Sequence, residues 1–597
     1  MSSTVMDLTS ESDAPSGVTA PLPCDASDDK NAPTSGENGT GAIAIWSVLI
    51  VGAAMRFGVA LLPERILLQL TWDDAFYYIR VAQNVVNGSG SSFDGLHPTN
   101  GYHPLWLLII APITVLIDGA ALVRVLVLVQ ATVGVATALV LVRLLRPKLG
   151  AVPVVAALSI WWLNPMSVTN SVAGLETAVA CLAVLVTIQA AFRYTEDPSA
   201  RSAVLLGLCI GVSFLARSDS VFASAAVMAW ILLRARRHEV SPSWSRLLRH
   251  CLLAGATALC IAAPWFLWSL ARFGTFEQAS SGARPMVLWD IARRQGVATD
   301  SLGSRISFGT RSGVEFLIDT KLWLGWPPAV VAVGLIVTML IWVRSKDGST
   351  RSDEDSQQIT LMGIILVAAG VLLVVVHAGI RISPRWYYFE WVRLGLGIMF
   401  AGVTAAYLRV GMRSPAEVRS PGLDTPRFDT PGWSRSEQAD PRRSRRATHA
   451  LVAIALLAIF ATRTTMARIG NPEFKWHSTM VQTAEWLRAN TDPQDRIVAF
   501  NAGFISYFSN REVINLDGVI NNSALDALRS RDLGSYICST GARWYADFDP
   551  IMLDEHDRFM GPDRTRLQLE PVKRFKADDY PTYGESELVI YRLSCSG

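Results

Sequence analysis

The sequence predicts a multi-pass α-helical membrane protein that carries a C-terminal α/β domain outside the membrane. Of its 597 residues 50% are hydrophobic and only 18% are charged, whereas soluble domains average about 25% charged residues. The apolar residues collect in runs, many of them close to the roughly 20 residues that cross a bilayer. We therefore expect about eleven transmembrane helices between a polar N-terminal tail and a soluble C-terminal region.

Residues 1–41 are rich in Ser, Asp, Gly, Pro and Thr and have no apolar periodicity, which predicts a disordered tail. No basic segment with a short apolar run and a small-residue cleavage site opens the chain, so we expect no cleaved signal peptide.

The predicted membrane domain covers residues 42–463. Its expected spans are 42–62, 120–143, 151–165, 172–192, 203–216, 220–237, 250–270, 326–343, 359–378, 388–408 and 448–463. A further apolar stretch, residues 104–116, is short for a span and is predicted to lie at the outer interface or partly embedded. If it crossed the bilayer, the topology of everything after it would invert.

Basic residues indicate how the chain is oriented. They cluster after the second span, after the sixth span and in the linker 409–447. The positive-inside rule places these three segments and the N-terminal tail in the cytoplasm. The first loop, residues 63–119, the loop 272–325 and residues 464–597 are then predicted to lie outside a plasma or inner membrane.

Residues 464–597 have a soluble composition with short apolar runs such as 496–500 and 588–591, which predicts a small α/β domain. Its two cysteines, Cys538 and Cys595, could form a disulfide in an oxidising compartment. The alternative is a pair of free buried thiols.

Two adjacent carboxylates, Asp73 and Asp74, follow the first span. A carboxylate at a bilayer surface is costly to desolvate, so a pair of them favours a catalytic role, with one acting as general base. Between the two, we favour Asp73 as the base. The alternative is that they cap a helix N-terminus.

Three polar side chains in the same loop, His97, Asn100 and His103, are candidates for binding sugar hydroxyls, a phosphate or a divalent cation. Asp74 and His103 are the predicted ligands of such a cation, Mg²⁺ or Mn²⁺. The alternative is that all three only pack within a Pro- and Gly-rich loop.

Charged residues also lie at the predicted outer ends of later spans. Glu176 begins the fourth span and is a candidate binding residue or a helix-terminal charge. Arg217 and Asp219 lie between the fifth and sixth spans, where they could pair with each other or bind an anion. Arg385 and Tyr387 precede the tenth span, and Arg385 suits bidentate binding of a phosphate. The aromatic run around Tyr387 is equally typical of a membrane interface.

Several protein classes receive no support. The net charge of +3 indicates no particular partner, and we expect no nucleic acid. The sequence contains no phosphate-binding Walker loop, no dinucleotide fingerprint and no HExxH motif. A membrane lipid is therefore the favoured carrier of any activated group.

Five short motifs occur in an order that resembles the GT-C superfamily of integral-membrane glycosyltransferases. They are residues 73–78, 100–106, 174–177 and 216–219, and the segment from Pro264-Trp265 to Ser281-Gly282. The resemblance spans about Trp46 to Trp391 and is strongest to bacterial members related to the protein-mannosyl and aminoarabinose transferases. Actinobacterial arabinofuranosyltransferases share the paired aspartates but diverge in the His-Pro loop.

The resemblance implies a polyprenyl-phosphate sugar donor, transfer on the outer face, an aspartate of the first outer loop as base and, in some members, a divalent metal. It also implies a donor-phosphate arginine, to which Arg385 corresponds. The acceptor would be a cell-envelope glycan, a glycolipid or a protein. Two alternatives are a transporter or flippase of a lipid-linked saccharide and a non-catalytic envelope-assembly protein.

Overall fold

The protein was analysed as a computed structural model. It describes residues 35–237, 243–297, 300–328, 331, 334, 336, 351–381, 384–409, 441–472, 474–549, 551, 555–580 and 584–596. Most of the predicted tail, most of the predicted span 326–343 and most of the linker 409–447 lie outside these residues.

The membrane part consists of helices that follow the apolar runs, with shorter helices between them. In chain order they are α1 (Ser35–Ala60), α2 (Glu64–Leu70), α3 (Asp73–Val86), α4 (Pro104–Thr114), α5 (Gly119–Leu149), α6 (Ala151–Trp161), α7 (Pro165–Asn170), α8 (Thr177–Glu196), α9 (Ala200–Ala216), α10 (Ser220–Arg237), α11 (Trp244–Phe273), α12 (Ala279–Arg294), α13 (Leu302–Ile318), α14 (Thr320–Trp323), α15 (Arg351–Val374), α16 (Glu390–Arg409) and α17 (Pro441–Gly470). A π-helical turn, Val375–Ile380, extends α15, and a 3₁₀ turn, Trp386–Phe389, leads into α16.

The chain is a multi-pass membrane protein. Among the described residues, seven helices are long and apolar enough to cross a bilayer: Gly39–Ala60, Gly119–Leu149, Thr177–Glu196, Trp244–Phe273, Glu354–Ile380, Trp386–Arg409 and Ala447–Gly470. Two predicted spans correspond to shorter apolar helices, α6 and α9, and α4 is also short. The predicted total of eleven spans therefore stays a prediction.

Two predicted loops contain helices. Residues 63–119 form α2, α3 and α4, and residues 272–325 include α12 and α13. Helix α4 corresponds to the predicted interfacial stretch 104–116. The other helices of these loops were not predicted, because they are short or mix polar and apolar residues and so lack the long apolar run of a span. The paired aspartates accordingly begin a helix, α3, instead of lying in a loop.

Basic helix ends meet at one end of the bundle. Lys148 Nζ, in the last turn of α5, lies 2.8 Å from Glu196 Oε1 at the end of α8. A guanidinium nitrogen of Arg234, near the end of α10, lies 3.7 Å from Glu354 Oε1 in α15. Lys148 Nζ also lies 3.9 Å from Asp355 Oδ1, the neighbour of Glu354. The basic segments after the second and sixth predicted spans therefore share one end, as the positive-inside argument requires.

The C-terminal domain is α/β, as predicted. Its elements are α18 (His477–Asn490), β1 (Arg496–Ala499), α19 (Ala502–Ser509), β2 (Glu512–Asn515), α20 (Asn522–Ser530), α21 (Leu533–Ser539), β3 (Trp544–Phe548), β4 (Leu567–Tyr580) and β5 (Gly584–Cys595). The sheet has the order β2-β1-β3-β5-β4. β1 pairs in parallel with β2 and β3, while β5 pairs antiparallel with β3 and β4.

Cys538 and Cys595 form a disulfide, with their Cα atoms 5.9 Å apart. It joins the end of α21 to the end of β5. The distance lies within the range that a disulfide spans without backbone movement.

The C-terminal domain shares a hydrophobic core with the first helices of the membrane part. Buried residues of α2–α5 and of the sheet form one continuous cluster. The ring of Phe76 on α3 packs 4.3 Å from that of Phe504 on α19, measured between ring centroids. Burial of aromatic side chains is among the largest contributions to packing, so this contact holds the domain directly over α3.

Candidate active site

A cavity of about 370 Å³ lies at the end of the bundle opposite the basic helix ends. The N-terminal ends of α3, α8 and α10 border it, together with the turn before α16. The side chains that line it include Asp74, Tyr77, Tyr78, His103, Glu176, Arg217, Asp219, Gln278, His377, Arg381, Tyr387, Val519 and Ile520. Helix N-termini stabilise negative charge, which explains locally why carboxylates begin α3 (Asp73 and Asp74) and directly precede α8 (Glu176) and α10 (Asp219).

Asp74 is the member of the aspartate pair that faces the cavity. The hydroxyl of Tyr387 donates a long hydrogen bond, 3.4 Å, to Asp74 Oδ2. Burial raises the pKa of the Asp74 carboxyl above its usual range, and the positive charges of Arg385 and Arg284 lower it in part. A buried carboxylate with a weakly bound oxygen and nearby arginines can accept a proton at a cavity surface.

Asp73 points to the C-terminal domain instead. Its carboxylate accepts hydrogen bonds from the backbone N–H groups of Gly503 (3.3 Å) and Phe504 (2.8 Å) at the start of α19. A Cβ atom at residue 503 would lie 2.4 Å from the Asp73 carbonyl oxygen, so only glycine permits this approach. Burial raises the pKa of Asp73 to about 7, although the amide hydrogen bonds lower it.

We expected Asp73 to be the base, whereas the geometry makes Asp74 the better candidate, because Asp74 is the one that lines the cavity. Sequence reasoning could not separate the two carboxylates, because neighbouring residues in a helix point about 100° apart and either could have faced the cavity. The tertiary contact with α19 decides which one does.

Glu176, Arg217 and Asp219 come together at the cavity wall. The Arg217 guanidinium pairs with Glu176 and also with Asp219, whose Oδ2 lies 2.6 Å from a terminal nitrogen. It also stacks over the Tyr388 ring at 4.9 Å. Of the two roles considered for Arg217 and Asp219, the structure shows the pairing, with Glu176 as an additional partner.

His103 joins this group, since its Nε2 lies 3.8 Å from Glu176 Oε1. Within the described part of the chain, His103 Nδ1 and Glu176 Oε2 are buried without a hydrogen-bond partner. Buried polar atoms are nearly always paired, so these two atoms mark a place where a polar ligand or water fits.

Arg385 lies near the cavity, and its charge is the largest electrostatic influence that lowers the pKa of Asp74. Arg381, four residues earlier, lines the cavity directly. Arg385 and Arg284 therefore bring positive charge to the side of the cavity where Asp74 lies, whereas Arg381 acts on His377.

His97 and Asn100 are not brought to the cavity, contrary to expectation. His97 Nδ1 bonds Asp94 Oδ2 at 2.7 Å. The fully buried Asn100 amide donates to Ser269 Oγ and accepts from the Ala279 N–H. Both side chains are engaged in packing the loop, which their residue types alone could not reveal.

The predicted metal ligands Asp74 and His103 both line the cavity. Among the described residues, however, no group of three or more His, Cys, Asp or Glu side chains is arranged to hold a metal ion. Mg²⁺ can bind through one or two carboxylates with substrate phosphates completing its shell, so a cation there would depend on the substrate, and it stays a prediction.

Some lining residues were missed. His377 is an ionisable residue in an apolar span, and that feature alone marks a functional candidate; the π-helical turn at this position is also typical of functional sites. Val519 and Ile520 carry no such feature, because they reach the cavity only through docking of the C-terminal domain.

Residues 97–268 match the family described as dolichyl-phosphate-mannose-protein mannosyltransferase. Residues 469–591 match a domain of unknown function, DUF8728. No curated protein has a sequence that matches the chain.

Solved structures share the fold. Apo ArnT from Cupriavidus metallidurans is 13% identical, with 93% of this chain and 98% of that chain covered and a TM-score of 0.52. ArnT bound to undecaprenyl phosphate is 12% identical over the same shares, with a TM-score of 0.51. The Archaeoglobus fulgidus oligosaccharyltransferase in complex with Zn and sulfate is 13% identical, with 90% of this chain and 72% of that chain covered and a TM-score of 0.50.

The family match covers less than a third of the chain, and at 12–13% identity the solved structures show the fold alone. The chain therefore shares the fold of ArnT and of the oligosaccharyltransferase, and part of its membrane region is similar to a mannosyltransferase family.

Proposed function

We propose that the protein transfers a sugar from a polyprenyl-phosphate donor to a hydroxyl group of a cell-envelope glycan, glycolipid or protein. The observation that carries this proposal is the Asp74 carboxylate, which faces a cavity bordered by Arg381 and influenced by Arg385. The ArnT structure with undecaprenyl phosphate supports a lipid-phosphate donor. The description of the family that matches residues 97–268 supports the same class of donor.

The chemistry requires a base and a stabilised leaving group. The acceptor oxygen attacks the anomeric carbon and forms the new glycosidic bond, while the bond from that carbon to the phosphate oxygen breaks. Asp74 takes the acceptor proton, and Arg385 stabilises the charge on the departing lipid phosphate. The Glu176–Arg217–Asp219 group lies where it can bind hydroxyls of the donor sugar.

The cavity is proposed to face the outside of the plasma or inner membrane. It lies at the end of the bundle opposite the basic helix ends, which the positive-inside rule assigns to the cytoplasm. A C-terminal alkaline phosphatase fusion should be active in cells and a C-terminal green fluorescent protein fusion dark. The reverse pattern would contradict the outward-facing site.

A transporter of lipid-linked saccharides is the competing function. Such proteins place their binding residues near mid-bilayer, between inverted repeats. Here the charged side chains of the cavity lie at helix N-termini at one end of the bundle, which favours an enzyme over a transporter. A non-catalytic assembly protein would have no need of an ionisable Asp74.

The decisive experiment uses the purified full-length protein in lipid nanodiscs with a panel of radiolabelled polyprenyl-phosphate sugars, both hexosyl and pentosyl. We expect release of the sugar from one donor, and analysis of glycans from a deletion strain should show which residue is missing. Removal of divalent cations with EDTA, followed by Mg²⁺ or Mn²⁺ addition, tests the cation. No turnover of any donor, together with unchanged glycans in the deletion strain, would refute the proposed function.

A further inference from the structure

The sheet of the C-terminal domain has the carboxyl ends of its parallel strands next to the cavity. Strands β1, β2 and β3 are parallel, so their carboxyl ends lie at one edge. The Phe500 carbonyl, directly after β1, accepts a hydrogen bond from the Tyr77 hydroxyl at 3.2 Å. In open α/β sheets ligands bind outside the carboxyl ends of the strands, and here that edge meets the cavity-lining Tyr77.

The turn after β2, residues 516–521, closes one side of the cavity. Val519 and Ile520 line it directly. The turn lies so close to the first loop that a Cβ atom at residue 101 would come 1.9 Å from the Val519 carbonyl oxygen, and Gly101 alone permits this contact. Asn522, just past the turn, donates to Asn100 Oδ1 at 3.1 Å. Both contacts are with the first loop, so the turn packs directly against that loop.

Asp517 lies in this turn, two residues before the lining residue Val519. Its Oδ1 accepts from the Val519 N–H at 2.8 Å, and its Oδ2 lies 3.5 Å from the Tyr77 hydroxyl. That second bond is weak, because the single Tyr77 proton also serves the nearer Phe500 carbonyl. Asn515 is a further hydrogen-bond neighbour. A carboxylate has about four acceptor sites, so Asp517 can accept another hydrogen bond.

The charges around the cavity suit different ligands at its two sides, a phosphate at one and neutral sugar hydroxyls at the other. Arg385 and Arg284, whose positive charges act on Asp74, favour a phosphate beside it. Burial raises the pKa of the Asp517 carboxyl to about 7, and the opposite charges of Asp74 and Arg284 both act on it, so no net positive charge at this side attracts a second anion. Sugar hydroxyls are neutral hydrogen-bond donors and suit a carboxylate acceptor.

We propose that Asp517 binds a hydroxyl of a neutral sugar acceptor and holds the acceptor against Asp74. This inference rests on the proposed function, and it names the acceptor class as the non-reducing end of a glycan or glycolipid. The C-terminal domain thereby supplies part of the acceptor site, while the membrane domain supplies the base and the donor-phosphate site.

The test compares Asp517→Asn with Asp526→Asn in full-length protein in nanodiscs. Asp526 is on α20 of the same domain, and its side chain is 75% exposed, away from the cavity. Two reactions are measured with the active radiolabelled donor: its hydrolysis by water, and transfer to methyl glycosides and short oligosaccharides. We expect Asp517→Asn to raise the acceptor KM about tenfold and to lower the ratio of transfer to hydrolysis by a similar factor, with Asp526→Asn unchanged in both.

A second measurement uses the wild-type protein alone, in case the variant fails to fold. A series of deoxy glycosides should include one hydroxyl whose loss raises the acceptor KM about tenfold in wild type. An unchanged acceptor KM in folded Asp517→Asn, an equal fall of hydrolysis and transfer, or indifference of the wild type to every deoxy position would overturn the assignment. Donor hydrolysis by wild type separates this outcome from failure of the proposed function itself.

Discussion

Two adjacent residues belong to different regions: Asp74 faces the cavity, and Asp73 faces the interface with the C-terminal domain. The two regions differ in how fully their buried polar groups are hydrogen-bonded. At the interface the Asp73 carboxylate is held by two backbone N–H groups of α19. At the cavity Asp74 has one long bond from Tyr387, and buried atoms of His103 and Glu176 have no partner within the described residues.

Whether a buried polar group has its hydrogen bonds filled separates structural residues from candidate binding residues better than its residue type does. A buried polar group with filled hydrogen bonds stabilises a contact, whereas one that stays unfilled at a cavity costs free energy that a ligand can recover. Asn100 and Glu176 illustrate this, since both are buried and polar, but only Glu176 lies at the cavity. The predictions below test whether the division holds.

The largest effect is expected at Asp74. Asp74→Asn should lower the transfer rate about 10²–10⁴-fold, because the general base is lost, while membrane insertion and thermal stability stay near wild type. Rates are measured on purified protein, with Asp526→Asn as the control. An inactive Asp73→Asn together with a nearly normal Asp74→Asn would show that Asp73, not Asp74, is the base.

Arg385 should come next. Arg385→Ala should reduce kcat/KM for the donor about 10–100-fold, as expected for loss of a charged hydrogen bond. Arg385→Lys should lose less, because it keeps the charge but not the bidentate fork. Donor kinetics of both variants are compared with Arg311→Ala, whose side chain is 75% exposed on α13. Near-normal donor KM in both Arg385 variants would assign this residue to the membrane interface.

The pH profile should reveal the buried base. Asp74 must be ionised to accept a proton, and burial raises its pKa. Activity should therefore fall with decreasing pH at a higher pH than an ordinary carboxyl, with a pKa of about 4, would cause. The acid limb of kcat/KM for the wild type reports this value. An acid limb at or below about pH 4 would contradict the raised pKa expected for the buried Asp74 carboxyl.

A smaller effect on rate and a distinct effect on stability are expected at Asp73. Asp73→Asn should change transfer less than about tenfold, since the residue does not face the cavity. The pKa of Asp73 in the folded state is about 7, against about 4 unfolded, so the folded state binds the extra proton between these values. Wild-type stability should then decrease as pH rises from about 4 to about 7 and level off above.

The Asp73→Asn variant should lack that share of the pH dependence. Thermal unfolding of both proteins across this range provides the measurement. Parallel curves would show that Asp73 does not titrate at the interface.

The disulfide should matter least for the rate. Cys538→Ser should lower the unfolding free energy of the C-terminal domain by about 3–4 kcal/mol, the usual effect of opening a loop of this size, with little change in transfer at low temperature. Limited proteolysis and thermal unfolding of the variant test this. A variant as stable as wild type would show that the shared core with α3 already holds the domain.

The sequence alone singled out several residues that line the cavity, for a definable reason. Carboxylates and arginines at the ends of apolar spans are costly there, and Asp74, Glu176, Arg217 and Asp219 were chosen by that criterion and line the cavity. The same reasoning could not exclude His97 and Asn100. A polar residue in a loop can serve packing as well as binding, and only its neighbours distinguish the two.

The number of spans is less well defined than the class of fold. Long apolar runs such as those of α5 and α15 were recognised because about 20 consecutive apolar residues rarely occur outside a transmembrane helix. Short helices such as α6 are ambiguous, since 11 residues are compatible with a partial crossing or with a buried turn of the bundle. Helices α12 and α13, which mix polar and apolar residues, were assigned to a loop because they lack a long apolar run.

The sequence by itself predicted that this chain crosses a membrane, that its C-terminal region is α/β, and that the candidate site residues lie at one end of the bundle. Composition and periodicity are properties of each segment and need no knowledge of distant neighbours. Only the tertiary structure decided that Asp74, not Asp73, faces the cavity, that Val519 lines it, and that Asp517 lies within 3.5 Å of the hydroxyl of the lining residue Tyr77. Those facts depend on how the sheet docks on α3, a contact between segments more than four hundred residues apart.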